Sequence, residues 1–241
     1  MQVEQDFFVR LEDTGTDLGL SNKGYITMMS NLACLHGTRI GQGLGDRDKC
    51  HLSWVVVGWH LEVLHRPKMT ETVHGITWAQ QANRLQTGRD FLLYDEAGRL
   101  CAKGTSTWMV LDENNTHVQR ITPEIMAPYK PEPERQNYPD FAFPREPAAF
   151  EPVWTLQTSI TRAMIDCNHH VHNVAYLDLA LEALPAAVDM DAFSHMTVVY
   201  RRQILPGERV KLSYGMAGSK HIVTIAETET NTLRAFFEME E

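Results

Sequence analysis

Five polar residues suited to acyl-transfer chemistry are concentrated in one short segment, IDCNHHVHNVAY, at positions 165–176. They are Asp166, Asn168, His170, His172 and Asn173. A carboxylate and an imidazole can orient or deprotonate a water molecule. An apolar run that predicts a helix over Asn173–Leu184 follows directly, and the first N–H groups of a helix can hold a developing oxyanion. The segment therefore predicts a site for hydrolysis of an acyl group. If the segment is extended, side chains alternate between its two sides, which places Asp166, Asn168, His170 and His172 on the same side.

The same residues allow other interpretations, which the sequence leaves open. Asn173 could serve only as the helix N-cap, Asp166 could stabilise only a local turn, and either histidine could lie hydrogen-bonded in the core. Asp166, His170 and His172 could contribute to a zinc site, although zinc needs three or four ligands and no further ligand is evident nearby. Cys167 could be a nucleophile, but it alternates away from the polar row. We expect neither a metal nor a cofactor.

The elements that must position this segment occur in the same order in both halves of the chain. Each half has a short strand, a helix and then four long strands, and this repeat predicts an internal duplication. In the first half these are Asp6–Leu11, the helix Tyr25–Ile40 capped by Ser21 or Asn22, and Trp54–His65, Thr72–Ala82, Gln86–Tyr94 and Leu100–Leu111. In the second half they are Val153–Ile160, the helix Asn173–Leu184, and His195–Ile204, Arg209–Met216, His221–Glu229 and Leu233–Met239.

Both predicted helices are apolar in almost every direction, which is typical of a buried helix. A long buried helix with an antiparallel sheet wrapped around it is a hot-dog fold. The predicted fold class is therefore α+β, a tandem (double) hot-dog fold. Two ordinary α+β sandwiches are the alternative.

Prolines divide the chain. Eight of the 11 prolines lie between positions 123 and 152, where proline rules out a helix interior or a central strand. We expect an N-terminal hot-dog domain over 1–122, a proline-rich linker over 123–152 and a C-terminal hot-dog domain over 153–241.

Composition narrows the functional class. The chain has 22 Lys and Arg against 31 Asp and Glu, a net charge of −9, which argues against general nucleic-acid binding. No apolar run approaches the roughly 18 residues of a membrane span, and the start MQVEQDFFVRLED lacks the basic and apolar regions of a signal peptide. The four cysteines are far apart and form no C-x-x-C pair. We expect a cytoplasmic protein.

The motif D-x-N-x-H-V-x-N-x-x-Y over 166–176 resembles the signature of acyl-acyl-carrier-protein thioesterases. Supporting similarity lies in WVVVGWHLEVLHRP (54–67), GRDFLLYDEAGRLCAKGTSTWMVLD (88–112) and VVYRRQILPGE (198–208), so the resemblance covers nearly the whole chain. It implies two hot-dog domains, hydrolysis of fatty acyl thioesters on acyl carrier protein and no cofactor. It also implies that the second domain is catalytic and that the first binds the acyl chain. The sequence leaves open whether the protein is a monomer or a homodimer.

The resemblance assigns roles residue by residue. It implies that Asp166, Asn168 and His170 are catalytic. To these we add His172, Asn173 and Gln203 as candidate supporting residues. For the acyl pocket the residues are Met28, Met29, Leu32 and Trp108.

Two departures from the family pattern bear on the mechanism. His172 replaces an asparagine of the usual H-V-N-N, and Gln203-Ile204 stands where plant-type members carry Glu-Cys. The second departure favours direct attack by water, with Asp166 as the base or water-orienting group, His170 assisting and Asn168 positioning the thioester. An acyl-CoA thioesterase, a hot-dog dehydratase or hydratase, and a non-catalytic acyl-binding protein are the alternatives.

The carrier-protein partner sets a condition on charge. Carrier proteins are acidic and this chain is acidic as well, so a local basic patch must offset the long-range repulsion. The candidates in the second half are Arg162, Arg201, Arg202, Arg209, Lys211 and Lys220.

Overall fold

The protein is described by a computed structural model that covers residues 1–112, 114 and 117–241. The chain forms two compact units, Met1–Phe141 and Ala142–Glu241. Within the described part of the chain, no helix combines the length and hydrophobicity needed to span a lipid bilayer.

The first unit is an antiparallel sheet with one long helix. Its elements are β1 (Gln2–Phe8), α1 (Asn22–Arg39), α2 (Arg47–Cys50), β2 (Leu52–Val63), β3 (Thr72–Ala79), β4 (Thr87–Asp95), β5 (Leu100–Asp112), β6 (Val118–Gln119) and α3 (Pro123–Met126). The strands pair in the order β1-β3-β4-β5-β2, and β6 pairs with β5. The sequence did not predict α2, α3 or β6.

The second unit repeats this plan. Its elements are β7 (Trp154–Ser159), α4 (Ala175–Ala183), β8 (His195–Tyr200), β9 (Arg209–Ala217), β10 (Lys220–Glu227) and β11 (Leu233–Glu240). The strands pair in the order β7-β9-β10-β11-β8, which is the order of the first unit when β1 to β5 are matched to β7, β8, β9, β10 and β11. The two units therefore share their strand pairing as well as their order of elements, as the repeat in the sequence predicts.

Helix α1 approaches its sheet closely because two strand glycines leave room for it. A Cβ at Gly104 would lie 2.7 Å from Sδ of Met29, and one at Gly75 would lie 2.8 Å from Cδ1 of Leu32. Met29 and Leu32 are fully buried. The helix starts at the predicted cap, where the Ser21 side chain accepts the Gly24 N–H at 2.9 Å.

Neither helix is buried all round, which corrects the expectation from sequence. On α1, Cys34 is exposed, and on α4, Leu181 is half exposed beside the exposed Glu182. Each helix packs with one side on its sheet, and the apolar residues on the other side reach solvent. Periodicity failed here because apolar residues occupy the outer face as well.

Part of the proline-rich segment packs on the first unit. Arg135 lies 3.6 Å from the centroid of the Trp78 ring, and its carbonyl accepts the Trp78 indole N–H at 2.7 Å. The Asn137 side chain donates to the carbonyls of Phe91 and Gly104 at 2.8 and 2.9 Å. These bonds tie residues 135–137 to strands β3, β4 and β5, within the range over which the sequence predicts a linker.

Candidate active site

The segment predicted to carry the chemistry forms a closed turn and not an extended row. Ile165 and Val171 form an antiparallel bridge, the Asp166 N–H donates to the His170 carbonyl at 3.0 Å, and the His169 N–H donates to the Asp166 carbonyl at 3.1 Å. His169 has a φ of +61°, which lets the chain reverse. The turn, and not a period of two, brings Asp166, Asn168 and His170 together.

The Asp166 carboxylate organises the turn. Its Oδ1 accepts the Asn168 backbone N–H at 2.8 Å, and its Oδ2 accepts from Asn168 Nδ2 at 3.3 Å. These two bonds form a turn closed by the aspartate side chain and hold the Asn168 amide nitrogen towards the carboxylate. Asp166 therefore positions Asn168 directly.

His170 lies beside the same carboxylate. Its Nδ1 is 3.8 Å from Asp166 Oδ1, within ion-pair range but beyond hydrogen-bond distance. The side chain of Asp166 is 16% exposed and that of His170 is 21% exposed, so solvent reaches both. A water molecule can therefore approach the carboxylate and the imidazole together.

The residues assigned a supporting role are placed differently. His172 and Gln203 are exposed, and the His172 N–H donates to the Met164 carbonyl at 2.8 Å. Oδ1 of Asn173 is buried and has no hydrogen-bond partner within the described residues. Helix α4 starts at Ala175 after Val174 as N-cap, so the interpretation of Asn173 as the cap is wrong.

The start of α4 is partly occupied. The Ala175 N–H donates to the His172 carbonyl at 2.8 Å, and the Leu177 N–H donates to the Val174 carbonyl at 3.0 Å. These two N–H groups are committed to the turn that opens the helix. Any oxyanion donor at this end of α4 therefore has to be another group of the segment.

Two tyrosines hold the turn in place. The Ile204 N–H donates to the Tyr176 hydroxyl oxygen at 3.1 Å, and the Val171 N–H donates to the Ile204 carbonyl at 2.9 Å. The Tyr200 hydroxyl donates to the Asn173 carbonyl at 2.8 Å, and the two tyrosine rings meet edge to face with centroids 5.1 Å apart. Burial raises the pKa of Tyr176 well above its usual value, so its hydroxyl stays protonated.

Sequence reasoning missed both tyrosines as supports. Tyr176 belongs to the motif, so a signal for it was present. For Tyr200, the sequence predicts only a position in a strand and gives no sign of a supporting role.

Ile204, which the resemblance noted in the sequence aligns with a cysteine of plant-type members, is fully buried. Its N–H and carbonyl are the two groups that bond Tyr176 and Val171. The position therefore supports the turn through its backbone and offers no reactive side chain. Cys167 is exposed, and no group of three or more histidine, cysteine or acidic side chains in the described ranges is arranged to hold a metal ion.

The first unit contains the same turn without the same side chains. Thr14 and Leu20 form the bridge, the Gly15 N–H donates to the Gly19 carbonyl at 2.9 Å, and the Leu18 N–H donates to the Gly15 carbonyl at 3.1 Å. Leu18 has a φ of +62°, as His169 has +61°. Gly15, Asp17 and Gly19 occupy the places of Asp166, Asn168 and His170.

The residues predicted to line an acyl pocket lie in the first unit. Met28, Met29 and Leu32 are buried on α1. Trp108 on β5 is half-buried, donates its indole N–H to Ser106 Oγ at 2.7 Å and meets the Trp59 ring edge to face with centroids 5.8 Å apart.

Comparison with known protein families identifies both halves of the chain. Residues 1–129 match the acyl-ACP thioesterase N-terminal domain, where ACP is acyl carrier protein, and residues 153–234 match the acyl-ACP thioesterase C-terminal domain. The chain belongs to the acyl-ACP thioesterase family. The Asp166–His170 turn lies in the part that matches the C-terminal domain of this thioesterase family.

Two related thioesterases are plant proteins. The chain is 28% identical to oleoyl-acyl carrier protein thioesterase 2, chloroplastic, of Arabidopsis thaliana, over 83% of this chain and 59% of the relative. It is 23% identical to dodecanoyl-[acyl-carrier-protein] hydrolase, chloroplastic, of Cinnamomum camphora, over 82% of this chain and 55% of the relative. The chain thus spans less than two thirds of the length of these relatives.

Solved structures confirm the tandem hot-dog fold. A putative oleoyl thioesterase from Lactobacillus plantarum superposes with a TM-score of 0.84 at 18% identity, over 99% of this chain and 95% of that one. The 12:0-ACP thioesterase from Umbellularia californica superposes with a TM-score of 0.83 at 18% identity, over 99% and 96%.

Proposed function

We propose that this chain hydrolyses the thioester of fatty acyl-ACP and releases the free fatty acid, which ends chain elongation. The observation that carries the proposal is the turn in which Asp166 bonds Asn168 and lies 3.8 Å from His170. This turn joins a carboxylate, a carboxamide and an imidazole in a family of thioester hydrolases.

The proposed reaction needs only water and these side chains. Asp166 and His170 orient a water molecule and take its proton as the water oxygen attacks the thioester carbon. Asn168 and backbone N–H groups of the segment stabilise the negative charge on the carbonyl oxygen. The C–S bond then breaks, the proton passes to the departing thiolate and the carboxylic acid leaves. The buried Ile204 at the position of the plant-type cysteine favours this route over an acyl-enzyme on that residue.

We further propose that the first unit binds the acyl chain. Met28, Met29 and Leu32 provide flexible and branched apolar side chains on α1, and each buried methylene of a substrate contributes about 0.8 kcal/mol. Three further points remain predictions from the sequence: the cytoplasmic location, the domain bounds 1–122, 123–152 and 153–241, and the monomeric or homodimeric state.

The partner is proposed to be acyl carrier protein, met by a local basic surface. Arg162 and Arg202 are exposed and lie just before the two segments joined by the Val171–Ile204 hydrogen bond. Arg201 is also exposed and lies 3.6 Å from Glu146. Positive charge beside the turn would attract an acidic carrier protein despite the net charge of −9.

Release of thiol, followed with a chromogenic reagent, tests the proposal. Acyl-ACP and acyl-CoA substrates of six to eighteen carbons are compared, and products are identified as well. Free thiol and fatty acid are expected, with a higher kcat/KM on acyl-ACP. A 3-hydroxyacyl thioester is included, because loss of water from it to give an enoyl thioester would indicate a dehydratase or hydratase. Binding without turnover would indicate an acyl-binding protein, and either result contradicts the proposal.

A further inference from the structure

A buried cationic cluster lies in the first unit and includes none of the residues to which the proposed reaction assigns a role. Arg89 on β4 is 6% exposed. Its Nη1 lies 3.0 Å from Nδ1 of His36 on α1 and 3.2 Å from Oγ1 of Thr77 on β3. The guanidinium also lies 5.5 Å from the centroid of the Tyr129 ring.

No carboxylate balances this charge. Across residues 1–112, 114 and 117–241, no carboxylate lies within ion-pair distance of Arg89. Burial lowers the pKa of Arg89 to about 10, so the side chain is still charged at neutral pH. A buried charge without an opposite partner costs several kcal/mol.

The hydrogen bond from Arg89 fixes the tautomer of His36. A guanidinium has no acceptor, so Nδ1 of His36 must accept, and the ring hydrogen of the neutral imidazole is on Nε2. Burial lowers the pKa of His36 to about 3, which keeps the ring neutral. Its Nε2 is buried and has no hydrogen-bond partner in the described part of the chain, so it is a donor without an acceptor.

A second donor without an acceptor, the indole N–H of Trp59, lies in the cross-strand row of side chains that includes Arg89. Trp59 on β2 pairs with Ser106 on β5, and Ser106 pairs with Arg89 on β4, so the three side chains share one face. The indole Nε1 of Trp59 is buried and lacks a partner among the residues that the structure describes. Ser106 already accepts the Trp108 indole N–H.

This row therefore combines the positive charge of Arg89 with the buried indole N–H of Trp59, and the described part of the chain supplies no carboxylate to balance the charge and no acceptor for the indole. We infer that Arg89, held in place by His36, and Trp59 bind a carboxylate carried at the far end of an acyl chain. A carboxylate supplies both the negative charge and the acceptor oxygens that the row lacks.

The neighbouring row accounts for the alkyl part of such a ligand. Leu61 pairs with Gly104, and Gly104 pairs with Phe91, so this fully buried apolar row lies next to the polar one on the same face. Met29 of α1 fills the space above Gly104. Its unbranched, flexible side chain can move aside for methylene groups. The inference rests on the proposed function and specifies its substrate as an acyl group that ends in a carboxylate.

Thioester pairs test the substrate. For each chain length from six to eighteen carbons, the fatty acyl-ACP is compared with the mono-thioester of the dicarboxylic acid of the same length. A buried charge-assisted hydrogen bond contributes about 1.5–3 kcal/mol, so the dicarboxylic substrate is expected to have about a 10- to 100-fold higher kcat/KM. Preference for the plain fatty acyl group at every length would overturn the inference.

Variants connect the preference to the cluster. Arg89→Met is expected to abolish the preference, and Trp59→Phe, which removes the indole N–H together with one ring but keeps an aromatic side chain, is expected to reduce it severalfold. Arg84→Met, which removes an exposed arginine of the same unit, is the matched control and keeps it. Far-UV circular dichroism checks folding, and a folded Arg89→Met protein that keeps the preference contradicts the inference.

A binding measurement separates this inference from the proposed function. Thermal unfolding is followed with fatty carboxylates and with 1-alkanols of the same length. The carboxylates are expected to raise Tm, and Arg89→Met is expected to remove the part of that rise that Arg84→Met retains. An equal rise in both variants overturns the carboxylate site whatever the hydrolysis assay gives. A protein that hydrolyses no thioester but shows the Arg89-dependent rise contradicts only the proposed function.

Discussion

The hydroxyl oxygen of Tyr176 accepts the backbone N–H of Ile204 at 3.1 Å, and the Ile204 carbonyl accepts the Val171 N–H at 2.9 Å. A buried residue of α4 thus positions the turn that holds Asp166 and His170. Tyr176 itself is a positioning residue, since it acts on the candidate catalytic groups through the backbone of Ile204.

Replacing Tyr176 by Phe should leave the Ile204 N–H buried without an acceptor. The expected cost is about 1–3 kcal/mol in the free energy of unfolding, measured with urea. Because the turn shifts, kcat should fall more than KM rises, and the pH profile of kcat should move.

Tyr214→Phe is the matched control, because the Tyr214 hydroxyl lies 2.9 Å from His221 Nδ1 in the same unit and touches no part of the turn that the structure describes. An unchanged pH profile in a folded Tyr176→Phe protein would argue against a positioning role.

Replacing Asp166 by Asn should remove the base while keeping the size of the side chain. We expect kcat to fall by roughly 10²- to 10⁴-fold, the range typical of a lost general base. Tm should change little because Asn keeps a side-chain oxygen that can accept the Asn168 backbone N–H. Glu182→Gln, at an exposed position of α4, should leave kcat unchanged. A folded Asp166→Asn protein with full kcat would show that Asp166 is not the base.

Acid should destabilise the first unit through His36. Burial lowers the pKa of His36 from 6.5 to about 3, so the unfolded chain binds the proton more readily than the folded one. The stabilisation is complete above pH 6.5 and is lost as the pH falls towards 3, by about 1.4 kcal/mol per unit.

Urea unfolding at pH 7, 6 and 5 measures this loss, and tryptophan fluorescence reports mainly the first unit, which holds Trp54, Trp59, Trp78 and Trp108. His36→Gln, which keeps an acceptor for Arg89, should flatten the dependence. A slope that remains in this variant would assign the acid sensitivity to another group.

Replacing Gly104 by Ala should force Met29 to move. The new Cβ would lie 2.7 Å from Met29 Sδ and 3.0 Å from the His60 carbonyl oxygen. Overpacking of this kind costs about 1–3 kcal/mol. In a double-mutant cycle with Met29→Ala, the two changes should be less than additive in the free energy of unfolding, because the truncated side chain leaves room. Full additivity would show that the His60 carbonyl, and not Met29, causes the strain.

Association with acyl carrier protein should depend on salt. Exposed positive charge at Arg162 and Arg202 attracts an acidic partner, and ions screen that attraction within about 8 Å at physiological strength. KM for acyl-ACP should rise with salt, and charge reversal at Arg162 and Arg202 should raise KM at low salt. KM for acyl-CoA should change little in both experiments. An equal salt response of the two substrates would contradict a basic docking surface.

The order of elements was predictable from sequence because turn residues and strand periodicity separate the strands clearly. The ends of the helices and strands were less predictable. The predicted strand His195–Ile204 stops at Tyr200, since the bonds of Ile204 go to Tyr176 and Val171 and not to a neighbouring strand.

The site was predictable as a set of residues but not as a shape. The positive φ of His169 and the side-chain turn at Asp166 replace the predicted alternation with a closed turn. The buried Arg89–His36 contact joins residues 53 positions apart, and no local pattern indicates it.

The Thr14–Leu20 turn has the same bridge, the same two hydrogen bonds and the same positive φ as the Ile165–Val171 turn, yet it carries Gly15, Asp17 and Gly19. Two copies of one backbone frame thus occur in the chain, and of these two only the second carries the candidate catalytic side chains. Placing Asp, Asn and His at positions 15, 17 and 19 would therefore test whether these side chains are sufficient for hydrolysis, because the backbone turn that would hold them is already present in the first unit.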